Sequence, residues 1–328
     1  MISVKTGRRA ALALTTAGLA SPALCPSARA QTRPPFPTRP IRIFGAWAPG
    51  PNVYTRVLAD LMAPRLGQPI VIESKAGANG TLAARALATE APDGHSLAQM
   101  PGSVFRVPFM SPRPPYDPLA DFSYIICLTG YPFGVVVNAN SPYRSWADLV
   151  AAAKRRPGAI SYGSPGAGTE PHVVMDRIAE LEGIEWLHAP YRGGSELTSA
   201  LLSGTIDAVA TASHWSQLVL DGRFRLLNVW TPERIARYPD APTLKELGYG
   251  IVATSPYGIA GPKGMDPGVV RQLHDAFKEA LFRPESLSYL AGLDQPVMYM
   301  DSEAYTDFAR RQVAQERELV RRLNLRME

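Results

Sequence analysis

Short apolar runs alternate with stretches whose apolar positions recur every three or four residues along most of this 328-residue chain. Such alternation predicts strands separated by helices, and so an α/β protein of parallel sheets covered by helices. Ile41 to Trp47 reads as a strand, and Val53 to Leu66 as a helix with Val57, Leu58, Leu61 and Met62 on one face. A strand at Ile70 to Glu73, a helix at Thr81 to Ala88 and a strand at Ser96 to Met100 complete a first βαβαβ block. A proline-rich loop, Pro101 to Pro118, follows.

The pattern then repeats. Ile125 to Val137 reads as two strands interrupted by Gly130-Tyr131-Pro132. Ser145-x-x-Asp148 has the form of a capping box ahead of Leu149, Val150 and Ala153. A strand at Ile160 leads through a glycine turn into a helix with Val174, Met175, Ile178 and Leu181, which stops at Gly183. Strands at Trp186 to Tyr191, Ile206 to Thr211 and Leu226 to Trp230, with a helix at Glu196 to Leu202, close this second unit. A buried strand at Tyr257 to Ala260 and a helix capped by Asp266-Pro267 come next. The last helix starts at Ser302, with Tyr305, Phe308, Ala309, Val313, Leu319, Val320 and Leu323 on one face. These late helices are expected to return to the first unit.

The glycine turn Ser164-Pro165-Gly166-Ala167-Gly168-Thr169 is the most informative stretch. A strand-turn-helix of this kind directs free backbone N–H groups and the positive end of a helix dipole at one point, which suits an anion. His172 falls in the first turn of that helix; it either contacts a ligand or supports the loop, or it only caps the helix. A second glycine turn, Ala48-Pro49-Gly50-Pro51-Asn52, follows the first strand and is either another ligand turn or a tight βα connection. Tyr191-Arg192-Gly193 makes a third, in which Arg192 is a ligand cation or a solvated surface charge. All three turns lie at the carboxyl ends of strands, where open α/β sheets bind ligands.

The chemistry of covalent catalysis is missing. Ser164 lacks the Gly-x-Ser-x-Gly spacing of a nucleophile elbow, and the following Pro165 has no N–H for an oxyanion hole. No dinucleotide or Walker pattern occurs. His95, His172, His188, His214 and His274 are scattered without metal spacing, and for His188 and His274 packing or surface hydrogen bonding is expected. Glu180 and Glu182 point to different sides of a helix. The expectation is a binding protein that is not an enzyme, with no cofactor and no metal.

Composition adds the address. Lys5, Arg8 and Arg9, the apolar stretch Ala10 to Leu24 and the small-x-small site Ala28-Arg29-Ala30 predict a signal peptide over residues 1–30 and a mature start near Gln31. Arg8-Arg9 leaves the Sec and twin-arginine routes both open, and Leu24 before Cys25 does not favour lipidation. Removing Lys5, Arg8, Arg9 and Arg29, and no acid, lowers the formal charge from +5 to +1, so nucleic acid is not an expected partner. Cys127 then stands alone in an apolar run and predicts a buried thiol. No later stretch has the roughly 18 consecutive apolar residues of a membrane span.

Phe36-Pro37-Thr38-Arg39-Pro40-Ile41-Arg42, Arg65-Leu66-Gly67-Gln68-Pro69, Ala76-Gly77-Ala78-Asn79-Gly80-Thr81, Ala91-Pro92-Asp93-Gly94, Pro115-Tyr116-Asp117-Pro118, Tyr162 to Thr169 and Asp240-Ala241-Pro242-Thr243 together resemble the TctC-like or Bug receptors of tripartite tricarboxylate transporters. The resemblance implies a type II periplasmic-binding-protein fold, two α/β lobes with a hinge closing on a small carboxylate. The repeated βα pattern and the returning C-terminal helices set the expected lobes at 31–133 with 256–328 and at 134–255, and a periplasmic monomer with a membrane transporter as partner is expected. Ligand contacts would then come from Ala48 to Asn52, Ser103, Ser164 to Thr169, His172, Tyr191 to Gly193 and Thr211. The chain departs from the family at the first turn, where Pro51 and Asn52 replace a longer Gly-x-Thr-Asp, and at Thr211-Ala212, where many relatives carry Asp-Asn. A ligand sensor that signals to a partner is the alternative reading.

Overall fold

A computed structural model describes residues 36–47, 53–191, 193–322 and 325–326. Ten strands and ten α-helices alternate over these residues. The first block is β1 (Ile41–Gly45), α1 (Val53–Leu66), β2 (Ile70–Ser74), α2 (Leu82–Leu87), β3 (Ser96–Met100) and α3 (Ser103–Met110). β4 (Phe122–Asn138) leads to α4 (Trp146–Arg155), β5 (Ile160–Ser164), α5 (Glu170–Glu182), β6 (Trp186–Pro190), α6 (Gly194–Leu202), β7 (Ala208–Ala212), α7 (Ser216–Leu220) and β8 (Phe224–Val229). The chain finishes with β9 (Thr254–Pro262), α8 (Pro267–Leu281), α9 (Pro284–Gly292), β10 (Val297–Met300) and α10 (Ser302–Arg322).

The strand order is β2-β1-β3-β9-β4-β7-β5-β6, with β8 and β10 also paired to β4. β4 is common to two half-sheets. Its leading part, to Pro132, pairs with β9, and its trailing part, from Phe133, pairs with β7 and β8. The expectation of two strands broken at Gly130-Tyr131-Pro132 is therefore corrected to one strand of 17 residues. Those three residues stay extended because Pro256, Ser255 and Thr254 of β9 lie opposite them.

All-parallel sheets are corrected as well. β2-β1-β3 and β6-β5-β7 are parallel, but every pairing made by β4 or β9 is antiparallel. The proline-rich loop is half helix, because α3 buries Val104, Phe105, Val107 and Met110 and carries Pro108 within it. α9 and β10 had no counterpart in the sequence pattern. Their apolar positions are few, and β10 is four half-exposed residues on one side of β4.

Each half-sheet is apolar on both faces, which explains strands read as continuous apolar runs. On the first half, Tyr54, Leu58, Met62, Leu273, Phe277 and Leu290 cover one face. Ala83, Val104, Phe105, Tyr305 and Ala309 cover the other. On the second, Trp146, Leu149, Met175 and Ile178 oppose Leu197, Leu201, Trp215 and Tyr238 across the sheet. α8 packs on α1 and α10 packs on α3. The local signals hold: Ser145 and Asp148 form a reciprocal capping box, Gly183 ends α5 in a left-handed conformation, and the Asp266 carboxylate accepts from Gly268 and Val269 N–H. No described helix is long and apolar enough to cross a membrane.

Candidate functional site

β5 delivers the chain into the turn 164–169, and α5 leaves it with Thr169 as N-cap and Pro171 in its first turn. Gly166 and Gly168 have φ of 143° and 72°, values that L side chains rarely adopt, so the turn depends on both glycines. The hydroxyl of Thr169 caps no helix N–H; it donates to Gly166 O at 2.7 Å and closes the turn on itself.

The expectation of free N–H groups throughout the turn is corrected. Gly166 N–H donates to Ser164 Oγ at 3.3 Å, Gly168 N–H to His172 Nδ1 at 3.0 Å, and Thr169 N–H to Gly166 O at 3.3 Å. A short turn of this kind uses its own donors to hold its shape. An anion would therefore meet the dipole end of α5 more than a ring of unengaged amides.

His172 is placed as loop support. Because its Nδ1 accepts from Gly168, its proton sits on Nε2, which lies 3.2 Å from Asp176 Oδ2. Burial lowers the His172 pKa; Asp176 opposes that shift and Arg106 adds to it. Burial likewise raises Asp176, against the pull of His172.

His188, expected to pack or to hydrogen bond at the surface, does pack, and its place beneath the turn is what the sequence reading did not assign. Its ring stacks on His172 with centroids 4.1 Å apart and on Tyr162 at 4.9 Å, and its Nε2 lies 2.7 Å from Ser164 Oγ. Burial, then His172, lower its pKa to about 4. The available signal was strand register: β5 and β6 pair in parallel with Tyr162 opposite His188, which puts both side chains on the α5 face beside Ser164. Ser164 is fully buried and its hydroxyl is also bonded to the Gly166 backbone, so the contact with His188 is a brace under the turn.

Three side chains of the first half meet the turn. Asn79 sits in a left-handed conformation (φ 57°) after Ala78, itself at φ 45°, and its Nδ2 donates to Ala167 O at 2.7 Å. Ser103 at the start of α3 donates to Asn79 O at 2.6 Å and so fixes that strained corner. Met110 lies where a Cβ on Gly168 would stand, 2.5 Å from its Cε. Arg106, 1 % exposed, donates to Gly168 O at 3.0 Å and to Glu170, while Glu316 of α10 takes two further bonds at 2.6 and 2.8 Å. Burial works against its charge, but the two carboxylates outweigh that and raise its pKa.

The remaining expected residues stand further off or out of view. Ala48 to Asn52 and Arg192 lie outside the described residues. Tyr191 donates its N–H to Ser164 O at 2.9 Å, which extends the β5–β6 pairing, and Gly193 caps α6. Thr211 on β7 pairs with Gly134, accepts from Trp215 Nε1 through its carbonyl, and lines a void of about 10 Å³ with His214 and Leu197. That side of β7 faces α6. A depression of about 680 Å³ lies elsewhere, between 231–237 and 291–296; its arginines are engaged, Arg234 with Glu246 and Arg237 with Asp294. No group of three or more metal-ligating side chains occurs among the described residues.

This α/β fold, with one long strand shared by two half-sheets and a glycine turn facing the opposite half, is also that of periplasmic solute-binding proteins. Residues 54–325 match the tripartite tricarboxylate transporter family receptor, TctC. The chain belongs to this family, which is one of solute-binding receptors and not of enzymes. It is 43 % identical to the "UPF0065 protein in gbd 5'region" of Cupriavidus necator, covering 97 % of this chain and 96 % of that one. The periplasmic binding protein BugD superposes with a TM-score of 0.82 at 26 % identity, over 89 % of this chain and all of BugD. MatC of Rhodopseudomonas palustris, with bound malate, shares the fold with a TM-score of 0.78 at 23 % identity, over 87 % of this chain and 100 % of MatC.

Proposed function

We propose that the protein captures a small organic carboxylate between its two halves and hands it to a tripartite tricarboxylate-type membrane transporter. The observation that carries this reading is the turn 164–169 at the positive end of α5, held from below by His172 and His188 and faced by Asn79 and Arg106 of the other half. Backbone geometry and the helix dipole supply the attraction for the anion. Lobes of 31–133 with 256–328 and of 134–255 are part of the proposal, with the crossovers near Pro132 and Thr254 as hinges. So are ligand contacts from Ala48 to Asn52, Ser103 and Tyr191 to Gly193, and export by the signal peptide 1–30. Binding of malate by MatC makes four-carbon dicarboxylates the first ligands to try.

Thermal shift of the mature chain against di- and tricarboxylates, amino acids, aromatic acids and neutral solutes tests the reading. A true ligand at about 100 times its Kd adds about 2.7 kcal/mol of apparent stability. A rise confined to neutral solutes, or none with any carboxylate, refutes it. Intact mass of the exported protein tests the mature start near Gln31, and uptake with and without the transporter's membrane subunits tests delivery.

A further inference from the structure

Arg106 is a full charge in a place water does not reach, on a short helix whose other buried residues are apolar but for Ser103 at its start. Its partners fall into two sets. Glu316, 3 % exposed on α10, belongs to the same half as α3 and takes Nε and Nη2 in a fork that matches both carboxylate oxygens. Gly168 O and the Glu170 carboxylate belong to the opposite half and take Nη1 and Nη2. An opening of the halves would leave the first set intact and break only the second.

We propose that Arg106 is a positioning residue for ligand capture: anchored on Glu316, it reaches across the cleft to Gly168 O and Glu170 and holds the anion-binding turn in the closed arrangement. The inference rests on the receptor reading given above. Four features support it. Four of the five guanidinium N–H groups are taken by protein acceptors on both sides, so the group serves the turn more than it serves a ligand. Glu170 stands in the first turn of α5, at the positive end of the helix dipole, within hydrogen-bond reach of Arg106 across the two halves. Asn79 and Met110 touch the same turn from the same half, so the arginine acts on a segment already aligned with it. Glu316 is the buried acid on an otherwise apolar face of α10, beside Tyr305, Ala309, Val313 and Val320, and pairing with Arg106 accounts for it.

The test uses the ligand-free mature chain, so that it does not depend on which solute binds. Small-angle X-ray scattering reads the compactness of the whole chain, and amide exchange of peptides covering 160–172 reads release of the turn. Glu170→Gln removes the cross-cleft carboxylate and leaves the Arg106–Glu316 pair. Arg106→Lys keeps the charge but replaces the fork by a single point of attachment. Both are expected to raise the open-to-closed ratio by about tenfold, the size of one lost charged hydrogen bond. Arg310→Gln, which removes an exposed pair on the same helix, is the control and should scatter and exchange like the parent. If Arg106→Lys does not fold, Glu170→Gln decides alone. Parent-like scattering and exchange in Glu170→Gln overturns the proposal. A parent that binds no carboxylate overturns the receptor reading instead, and leaves this measurement interpretable.

Discussion

Gly168→Val separates two costs that a single affinity value would merge. Gly168 has φ of 72°, and a side chain held there costs about 1–2 kcal/mol. That strain is present whether the halves are apart or together, so it cancels from ligand affinity and appears as lost stability. The second cost is steric and exists only in the closed arrangement: the new Cβ stands 2.5 Å from Met110 Cε and 2.8 Å from Sδ, where carbon contacts prefer about 3.5–4.0 Å. Met110 is 4 % exposed and can move only against its neighbours, which places the penalty in the overpacking range of about 1–3 kcal/mol. Affinity for a carboxylate found by thermal shift should then fall by between about fivefold and about a hundredfold. Thr169→Ala loses the bond to Gly166 O, about 1 kcal/mol in either arrangement, and should leave affinity closer to the parent. Titration calorimetry measures the affinities and thermal unfolding the stabilities. Met110→Ala added to Gly168→Val should restore the affinity but not the stability. A Gly168→Val chain that folds normally and binds within about twofold of the parent refutes the reasoning, as does a double variant with no recovery.

Acid should weaken the turn before it unfolds the rest. His188 has its pKa lowered to about 4 and His172 is lowered too, so both contribute stability that is complete above the unfolded value of about 6.5 and is lost as pH falls through that window. With discount for partial exposure, His188 accounts for about 1–2 kcal/mol, read as a fall in the unfolding midpoint from pH 7 to pH 4.5; His188→Gln should flatten that slope, and an unchanged slope counts against the brace. Cys127 is fully buried and burial pushes its thiol up to about 12, so a thiol reagent at pH 8 should label it only in denaturant; prompt labelling of the folded chain would contradict this packing. Ser145→Ala removes half of the capping box of α4 and should cost about 1 kcal/mol by denaturant unfolding with carboxylate affinity unchanged; a change in affinity would tie α4 to the site.

Elements whose cause lies within a few residues were legible from the chain itself. α1 occupies Val53–Leu66 because Leu58 and Met62 recur at helical spacing on its buried face. Ser145 with Asp148, Gly183 after α5 and Asp266 before α8 set helix ends through bonds that span at most four residues. The turn 164–169 was visible for the same reason: two glycines between a short apolar strand and an amphipathic helix have few other conformations to adopt. What the tertiary structure alone decided depends on partners far apart in sequence. β4 continues through Pro132 because β9 lies beside it, and α3 forms inside a proline-rich stretch because a cluster from both chain ends buries its apolar side. Arg106 and Glu316 stand 210 positions apart, and each read singly is an ordinary surface charge. His172 and His188 sit in separate βα units and meet only because the parallel register of β5 and β6 sets Tyr162 against His188 beneath the turn. Local periodicity carries information about backbone conformation and burial, whereas pairing across a sheet or a cleft is set by which surfaces the folded chain brings together, and one sequence read along its length does not contain that adjacency.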